Sequence, residues 1–391
     1  MKHITFTVFI SFLLLIAGCG NHNKKDDTTI TKKDSVVTEQ QDSSTLKSDK
    51  KLQDIARFIS GKEVQKNSEL YETSQSIVWK GYAQKSESLW AQFRKKAEVY
   101  QNWATTELYP NTKEIKTLFY PFSGADFLYA DIFFPNVKEI YLFGLENVGT
   151  VPTIDSLCGD SLSNYLYNLN RSIRDIFQVS FFLTNNMKED LNNENIDGVA
   201  PLLLVFISQS GKEVLSMHYG SSDSAGNFIE MEYADLSKYK NKMLKITYRQ
   251  PGEKDVRHLY YIGGTNVVDF SLHNNKEFVA FLNRIDQGYA TFIKSASYLM
   301  HKNYFSIVRN IILTKSALVM QDDSGIPYRF FKPEEWKTHL YGSYTEPIPM
   351  FKSSYEQDLF DAYQNGNPKP MNFRMGYNRI SNERIHIRLP R

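Results

Sequence analysis

Cysteine is almost missing from this chain: Cys19 and Cys158 are its two copies in 391 residues. A disulfide-stapled scaffold is therefore excluded, and stability must come from a hydrophobic core. The eight histidines are scattered singly, with no His-x-x-x-His and no His-Glu pair. That spacing offers no metal-ligand set and disfavours a metal hydrolase. No Gly-x-Ser-x-Gly elbow occurs, which disfavours a serine hydrolase; Ser208-Gln209-Ser210-Gly211 reads as a turn instead. Charge of one sign is also lacking, because 46 Lys and Arg nearly cancel 44 Asp and Glu. With no basic stripe along any expected helix, nucleic acid is not an expected partner. The chain contains no internal repeat. Its longest N-terminal apolar run, Ile4 to Ile16, falls short of the about 20 residues a transmembrane helix needs.

What is present begins at that run. Met1-Lys2-His3, an apolar segment and small residues at Ala17-Gly18 describe a secretory signal over residues 1–18. The small pair is followed by Cys19, and Ile16-Ala17-Gly18-Cys19 resembles the lipobox of bacterial lipoproteins. The resemblance implies cleavage before Cys19, lipidation of its thiol and a mature protein held to a membrane by lipid. The expected location is the cell envelope, on the outer membrane in preference to the inner, facing the periplasm or the surface. With Cys19 lipidated, Cys158 has no partner and is expected as a buried small hydrophobe. Residues 19–51 are rich in Lys, Asp, Thr, Ser and Gln. Too little apolar surface is available there to offset ordering entropy, so the segment is expected as a flexible tether reaching about 30 Å.

From residue 52 to about 110 the spacing is helical: Ile55, Phe58 and Ile59 share a face. Leu89, Trp90, Phe93, Ala97, Tyr100 and Trp103 continue the periodicity. A helical N-terminal subdomain is expected there, and an α/β domain over 111–391. That domain opens on strand 116–121, a glycine-containing loop, a short helix and strand 138–146, a β-α-β unit. Residues 201–208 form a continuous apolar run, expected as a strand pairing with 213–219 in a hairpin. Residues 242–249 and 257–262 flank Gln250-Pro251-Gly252-Glu253, a second hairpin. Residues 276–315 keep helical spacing, a strand covers 317–320, and the last 60 residues are expected as an irregular wrap. The expected class is α/β, a mixed twisted sheet, Rossmann-like, flanked by helices.

Three sets of residues carry candidate chemistry. Ser123, Gly124 and Asp126 follow a strand, and Glu146 closes the next one 22 residues after Gly124. This spacing is similar to the first half of Rossmann-like nucleotide sites, where an acid accepts ribose hydroxyls. One glycine stands where that fingerprint wants two or three, so the architecture is expected without the cofactor. Asp322, Asp323 and Ser324 directly follow a strand, the position where α/β folds place ligand contacts. Asp, Ser and Gly also make turns on their own account, and consecutive side chains converge only through a turn. Lys294 to Tyr298 and Arg309 place polar groups on the expected long helix.

Tyr120 to Tyr129, Gly144-Leu145-Glu146, Lys294 to Leu299 and Gln321 to Pro327 resemble blocks of an uncharacterised bacterial lipoprotein family. The resemblance implies a lipoprotein and no particular activity. The leading expectation is an envelope lipoprotein whose Asp126, Glu146, Asp322 and Asp323 line a cleft for a polar ligand, such as a glycan or small metabolite, or for an envelope partner. A carboxylate-dependent glycan hydrolase and a structural accessory subunit are the alternatives. No cofactor and no metal are expected, and no catalytic residue is assigned.

Overall fold

The computed structural model describes residues 48–179, 192–193, 196–264, 266–377 and 382–390. The expected signal, Cys19 and most of the tether lie outside the described residues. Ten strands join in one mixed sheet. They are β1 (Thr117–Tyr120), β2 (Glu139–Phe143), β3 (Glu213–Ser222), β4 (Phe228–Glu230), β5 (Lys242–Arg249), β6 (Arg257–Gly263), β7 (Tyr289–Ile293), β8 (Ser316–Gln321), β9 (Trp336–Gly342) and β10 (Asn382–Arg388). Their spatial order is β9-β10-β8-β7-β1-β2-β6-β5-β3-β4. The central run from β8 to β6 is parallel, and the strands outside it pair antiparallel.

Period-two alternation sends neighbouring side chains to opposite faces. Leu118, Tyr120, Leu142, Phe292 and Met320 face one helical layer, while Phe119, Phe143, Ile293 and Val319 face the other. The first layer holds α1 (Lys50–Ile59), α2 (Ile77–Glu107), α3 (Phe127–Phe133), α4 (Leu162–Val179) and α5 (Ala200–Gln209). The second holds α6 (Lys276–Arg284) and α7 (Ser306–Lys315). The expected α/β class, a mixed sheet flanked by helices, is what the chain adopts. Helices start where the chain supplies caps: Asp49 accepts the Leu52 N–H at 3.1 Å and Ser76 accepts that of Trp79 at 3.2 Å.

Residues 201–208, expected as a strand, form α5. Leu202, Leu203, Leu204, Val205, Phe206 and Ile207 are all fully buried, and a run buried all round loses its period. Pro201 at the first turn was the readable sign of a helix. Burying those six side chains contributes at most about 9–18 kcal/mol of transfer free energy.

The expected long helix 276–315 is broken into α6, β7, two short 3-10 helices (Leu299–His301 and Asn303–Phe305) and α7, so Lys294 to Tyr298 sit on a loop after a strand rather than on a helix face. All five residues of β7 are buried, which removes the alternation by which a strand is recognised. The C-terminal 60 residues, expected as irregular, contribute β9 and β10 to the sheet and α8 (Gln357–Asn365) beside it. Cys158 is exposed rather than buried. It ends the short helix Ile154–Cys158, in which Leu157 takes the inward position.

Candidate functional site

The chain leaves β1 and β7, adjacent parallel strands, in opposite directions. After β1 it runs through α3 in the first layer to β2; after β7 it runs through α7 in the second layer to β8. Such a divergence is a topological switch point, where open α/β sheets hold ligands beyond the carboxyl ends of their strands. The loops that diverge are 121–126 and 294–298.

Backbone strain gathers there. Among the described residues, the non-glycine residues with left-handed backbone are Phe122, Ser295, Ser297 and Tyr298, at φ of 59°, 52°, 52° and 54°. All belong to these two loops. A non-glycine residue held in that region costs about 1–3 kcal/mol, and such costs cluster at functional sites.

Asp126 is the hub of the first loop. Its carboxylate accepts the Tyr120 hydroxyl at 2.8 Å and the Tyr129 N–H at 3.3 Å, capping α3. It pairs with Lys294 Nζ at 2.7 Å, with both side chains at most 4% exposed. The ammonium also lies 3.7 Å from the centroid of the Tyr129 ring, an arrangement that is strongest when desolvated. Burial first, then the charges of Asp126 and Asp322, push the Tyr120 phenol well above its ordinary range. Tyr120 therefore senses both candidate loops.

Asp322 accepts the N–H groups of Ser295 at 2.9 Å and Ser324 at 3.0 Å, and the Ser324 hydroxyl. Ser324 Oγ in turn accepts the Ala296 N–H at 2.7 Å. Asp323 points to other partners: the Tyr298 hydroxyl and Asn382, whose Oδ1 accepts the Asp323 N–H at 3.0 Å. Burial raises both acids. Asp323 is pushed up to about 6 by burial and then by the Asp322 charge, while hydrogen bonds to Asp322 oppose the burial.

Strand β10 adds the residues that sequence reasoning missed. Glu383 is fully buried with neither carboxylate oxygen hydrogen-bonded among the described residues. Burial and the Asp322 charge hold it well above the ordinary carboxylate range. Arg384, also fully buried, donates from Nη2 to the Asp322 carbonyl at 3.0 Å, while its Nε and Nη1 find no partner among the described residues. Nearby, His301 Nε2 stands 3.6 Å from Glu356 Oε1. Burial drives His301 down to about 3 and Glu356 up to about 7, so this contact is not an ion pair at neutral pH. Carboxyls thus outnumber cations on this rim, and burial favours the protonated form of Asp322, Asp323, Glu356 and Glu383. The one readable signal in 382–388 was the alternation of Ile385 and Ile387, a strand pattern that carries Glu383 and Arg384 with it.

No family model, curated protein or solved structure matches the chain. The site is read from its geometry.

That geometry gathers Asp126, Lys294, Asp322, Asp323 and Ser324, with Lys294 bridging the two loops. Ser123 and Gly124 are beside them as scaffolding. Ser123 Oγ accepts the Phe143 N–H at 3.0 Å, and the Gly124 N–H donates to the Phe143 carbonyl at 3.0 Å, joining the ends of β1 and β2. Gly124 has φ 56°, and a Cβ on Gly144 would fall 3.0 Å from its Cα. Glu146 is placed apart. It is buried one strand away, where Tyr261 donates its hydroxyl to the Glu146 carbonyl at 3.0 Å and reaches Oε2 at 3.4 Å. A phosphate at the start of α3 would face the Asp126 carboxylate that already caps it, which disfavours an anionic nucleotide. Among the described residues no group of three or more His, Cys, Asp or Glu side chains is arranged to hold a metal ion.

The acids are covered rather than open to solvent. Gly376, at φ 70°, lies so close that a Cβ there would fall 2.3 Å from Asp322 Oδ2. Tyr377 accepts the Ser297 N–H at 2.8 Å. The cleft expected from the sequence is thus closed by residues 375–377 in this conformation.

Proposed function

We propose that this chain is a membrane-anchored envelope lipoprotein whose α/β domain binds a small polar ligand at the switch point between β1 and β7. The observation that carries the reading is the confinement, among the described residues, of left-handed non-glycine backbone to the two loops diverging there. Strain of that kind persists where surrounding structure holds a group for a task. The anchor rests on the Ile16-Ala17-Gly18-Cys19 block.

The ligand is hydroxyl-rich or cationic rather than anionic. Asp126, Asp322, Asp323, Glu356 and Glu383 stand against Lys294 and Arg384, and carboxyls that hold protons near neutrality both donate and accept hydrogen bonds. A glycan fragment meets this description, with Tyr298 and the parallel ring of Tyr377 supplying apolar contact. Binding requires residues 375–377 to give way over Asp322.

Thermal-shift titration of the purified chain against oligosaccharides, polyamines and nucleotides tests this. A ligand at a hundred times its Kd should add about 2.7 kcal/mol to the wild type, and Asp322→Asn with Asp323→Asn should abolish that gain. A nucleotide as the sole ligand, or a gain untouched by the double variant, would refute it.

A carboxylate-dependent glycan hydrolase is the second reading. It is favoured by Asp323 at about 6 and Glu356 at about 7, since a general acid must keep its proton near the working pH. Turnover of chromogenic glycosides, lost on Asp323→Asn, separates it from binding alone.

A further inference from the structure

An open groove of about 800 Å³ runs between α2 and α4, in the first helical layer and away from the switch point. Its floor is apolar: Phe93 and Leu166 are buried, and Leu89 and Phe177 half-buried. Its mouth is apolar as well, with Ile77 91%, Tyr167 62% and Val78 49% exposed. Among the described residues, the charged ones lining it are Lys85, Lys96 and Arg174, and none is acidic. Ile77 and Val78 form the first turn of α2, which contains no acid either, so the positive end of the helix dipole adds to the same sign.

A solvated helix face places polar groups outward and keeps both signs of charge. This groove has exposed Ser88, Gln92 and Ser163 on its lining, but its charge is of one sign and its mouth keeps Ile77 and Tyr167 in solvent. Its volume lies within the about 300–1,000 Å³ of small-molecule sites. From Ile77 to Lys96 it follows α2 for about 28 Å at 1.5 Å per residue. One acyl chain spans half the hydrocarbon core, about 15 Å, so the groove has length for a chain and a headgroup. A flat bilayer would meet the protruding Ile77 and Tyr167 but not the floor at Phe93 and Leu166. A chain lying in the groove reaches both.

We propose that this groove binds a single-chain anionic amphiphile, with its acyl chain along Leu89 and Leu166 toward Ile77 and its anionic head at Lys96 and Arg174, each one turn from the stacked rings of Phe93 and Phe177. The proposal is independent of the polar-ligand reading at the switch point, because it uses other residues on another layer.

Palmitate, kept below its aggregation threshold, is the probe, titrated against the full chain by calorimetry and by tryptophan fluorescence. Trp90 reports on the floor, since its ring stacks edge-on with Phe177 at 4.8 Å. Saturable binding of palmitate is expected, with no binding of butyrate. Hexadecanol, which keeps the chain and lacks the charge, should bind about tenfold more weakly, as should palmitate to Lys96→Glu/Arg174→Glu. These two side chains are exposed, so circular dichroism and the melting temperature of the variant should match the wild type. Palmitoyl-lysophosphatidylglycerol distinguishes the sources: tighter binding than palmitate upholds the proposal with a phosphate head, and weaker binding upholds it with a carboxylate. Equal affinity for hexadecanol, indifference to charge reversal, or binding to phosphatidylglycerol vesicles without binding of monomeric palmitate would overturn it.

Discussion

Replacing Lys294 by methionine tests whether the switch point is as closed as its geometry implies. Lys294 Nζ lies 2.7 Å from Asp126 Oδ2, with the two side chains 2% and 4% exposed. At an effective dielectric near 20 that separation corresponds to about 6 kcal/mol of attraction, offset by several kcal/mol of desolvation. The net worth of the pair is thus small, but breaking it strands a charge. Lys294→Met should cost about 3–5 kcal/mol, because Asp126 keeps the Tyr120 and Tyr129 bonds but loses its counter-ion. Asp126→Asn should cost somewhat less, since asparagine caps α3 as well and the ammonium retains the Tyr129 ring. The double variant should recover most of the loss, giving a coupling of at least about 2 kcal/mol. Urea midpoints of the four proteins, compared at unchanged m, provide the measurement. A single-variant loss below about 1 kcal/mol, or additive losses, would mean that water reaches this pair and that the rim is open.

Stability should fall by about 1–3 kcal/mol between pH 6.5 and 8. Burial raises Glu356 to about 7 and Glu383 well above its ordinary range, so their contribution is complete below their unfolded values and is lost as pH rises through the folded ones. Below pH 6.5 the fall should level off. His301 at about 3 and His258 at about 4 contribute stability that is lost with acid and opposes the carboxyls there. Glu356→Gln should flatten the alkaline limb in melts run from pH 5 to 8.5; an unchanged limb would rule out Glu356 as its source. Gly376→Ala should cost at least about 1–3 kcal/mol, because φ is 70° and the new methyl meets Asp322 Oδ2. Faster amide exchange across residues 375–377 is the accompanying signature. Cys158 should react with a thiol reagent in the folded protein, and Cys158→Ser should remove that reaction; labelling that requires urea would contradict its exposure.

The β-α-β opening was legible because each part carries a local signal. Leu118 to Tyr120 is a short apolar run, Gly124 supplies a positive φ, and Asp126 caps the helix it precedes. The turn at Gln250 to Glu253 was equally plain. The acids at 126, 322 and 323 were legible as residues that follow strands. The partner of Asp126 was hidden, because Lys294 read as part of a helix that does not exist. Glu383, Arg384, Tyr298 and Glu356 carry no local mark of burial, and only the strands and loops packed around them make their ionisation costly.

By itself, then, the order of residues determined the α/β class, the N-terminal helices, most central strands and the loops that bear acids. Those properties depend on spacing within a few turns or a few residues, where sterics and hydrophobic periodicity act. Tertiary structure alone decided that β7 lies beside β1, that β10 carries a buried arginine and glutamate to the rim, and that burial raises Asp323, Glu356 and Glu383 above the ordinary carboxylate range. Adjacency across more than a hundred residues and exclusion of water are collective outcomes of packing, and no local pattern in the chain encodes them.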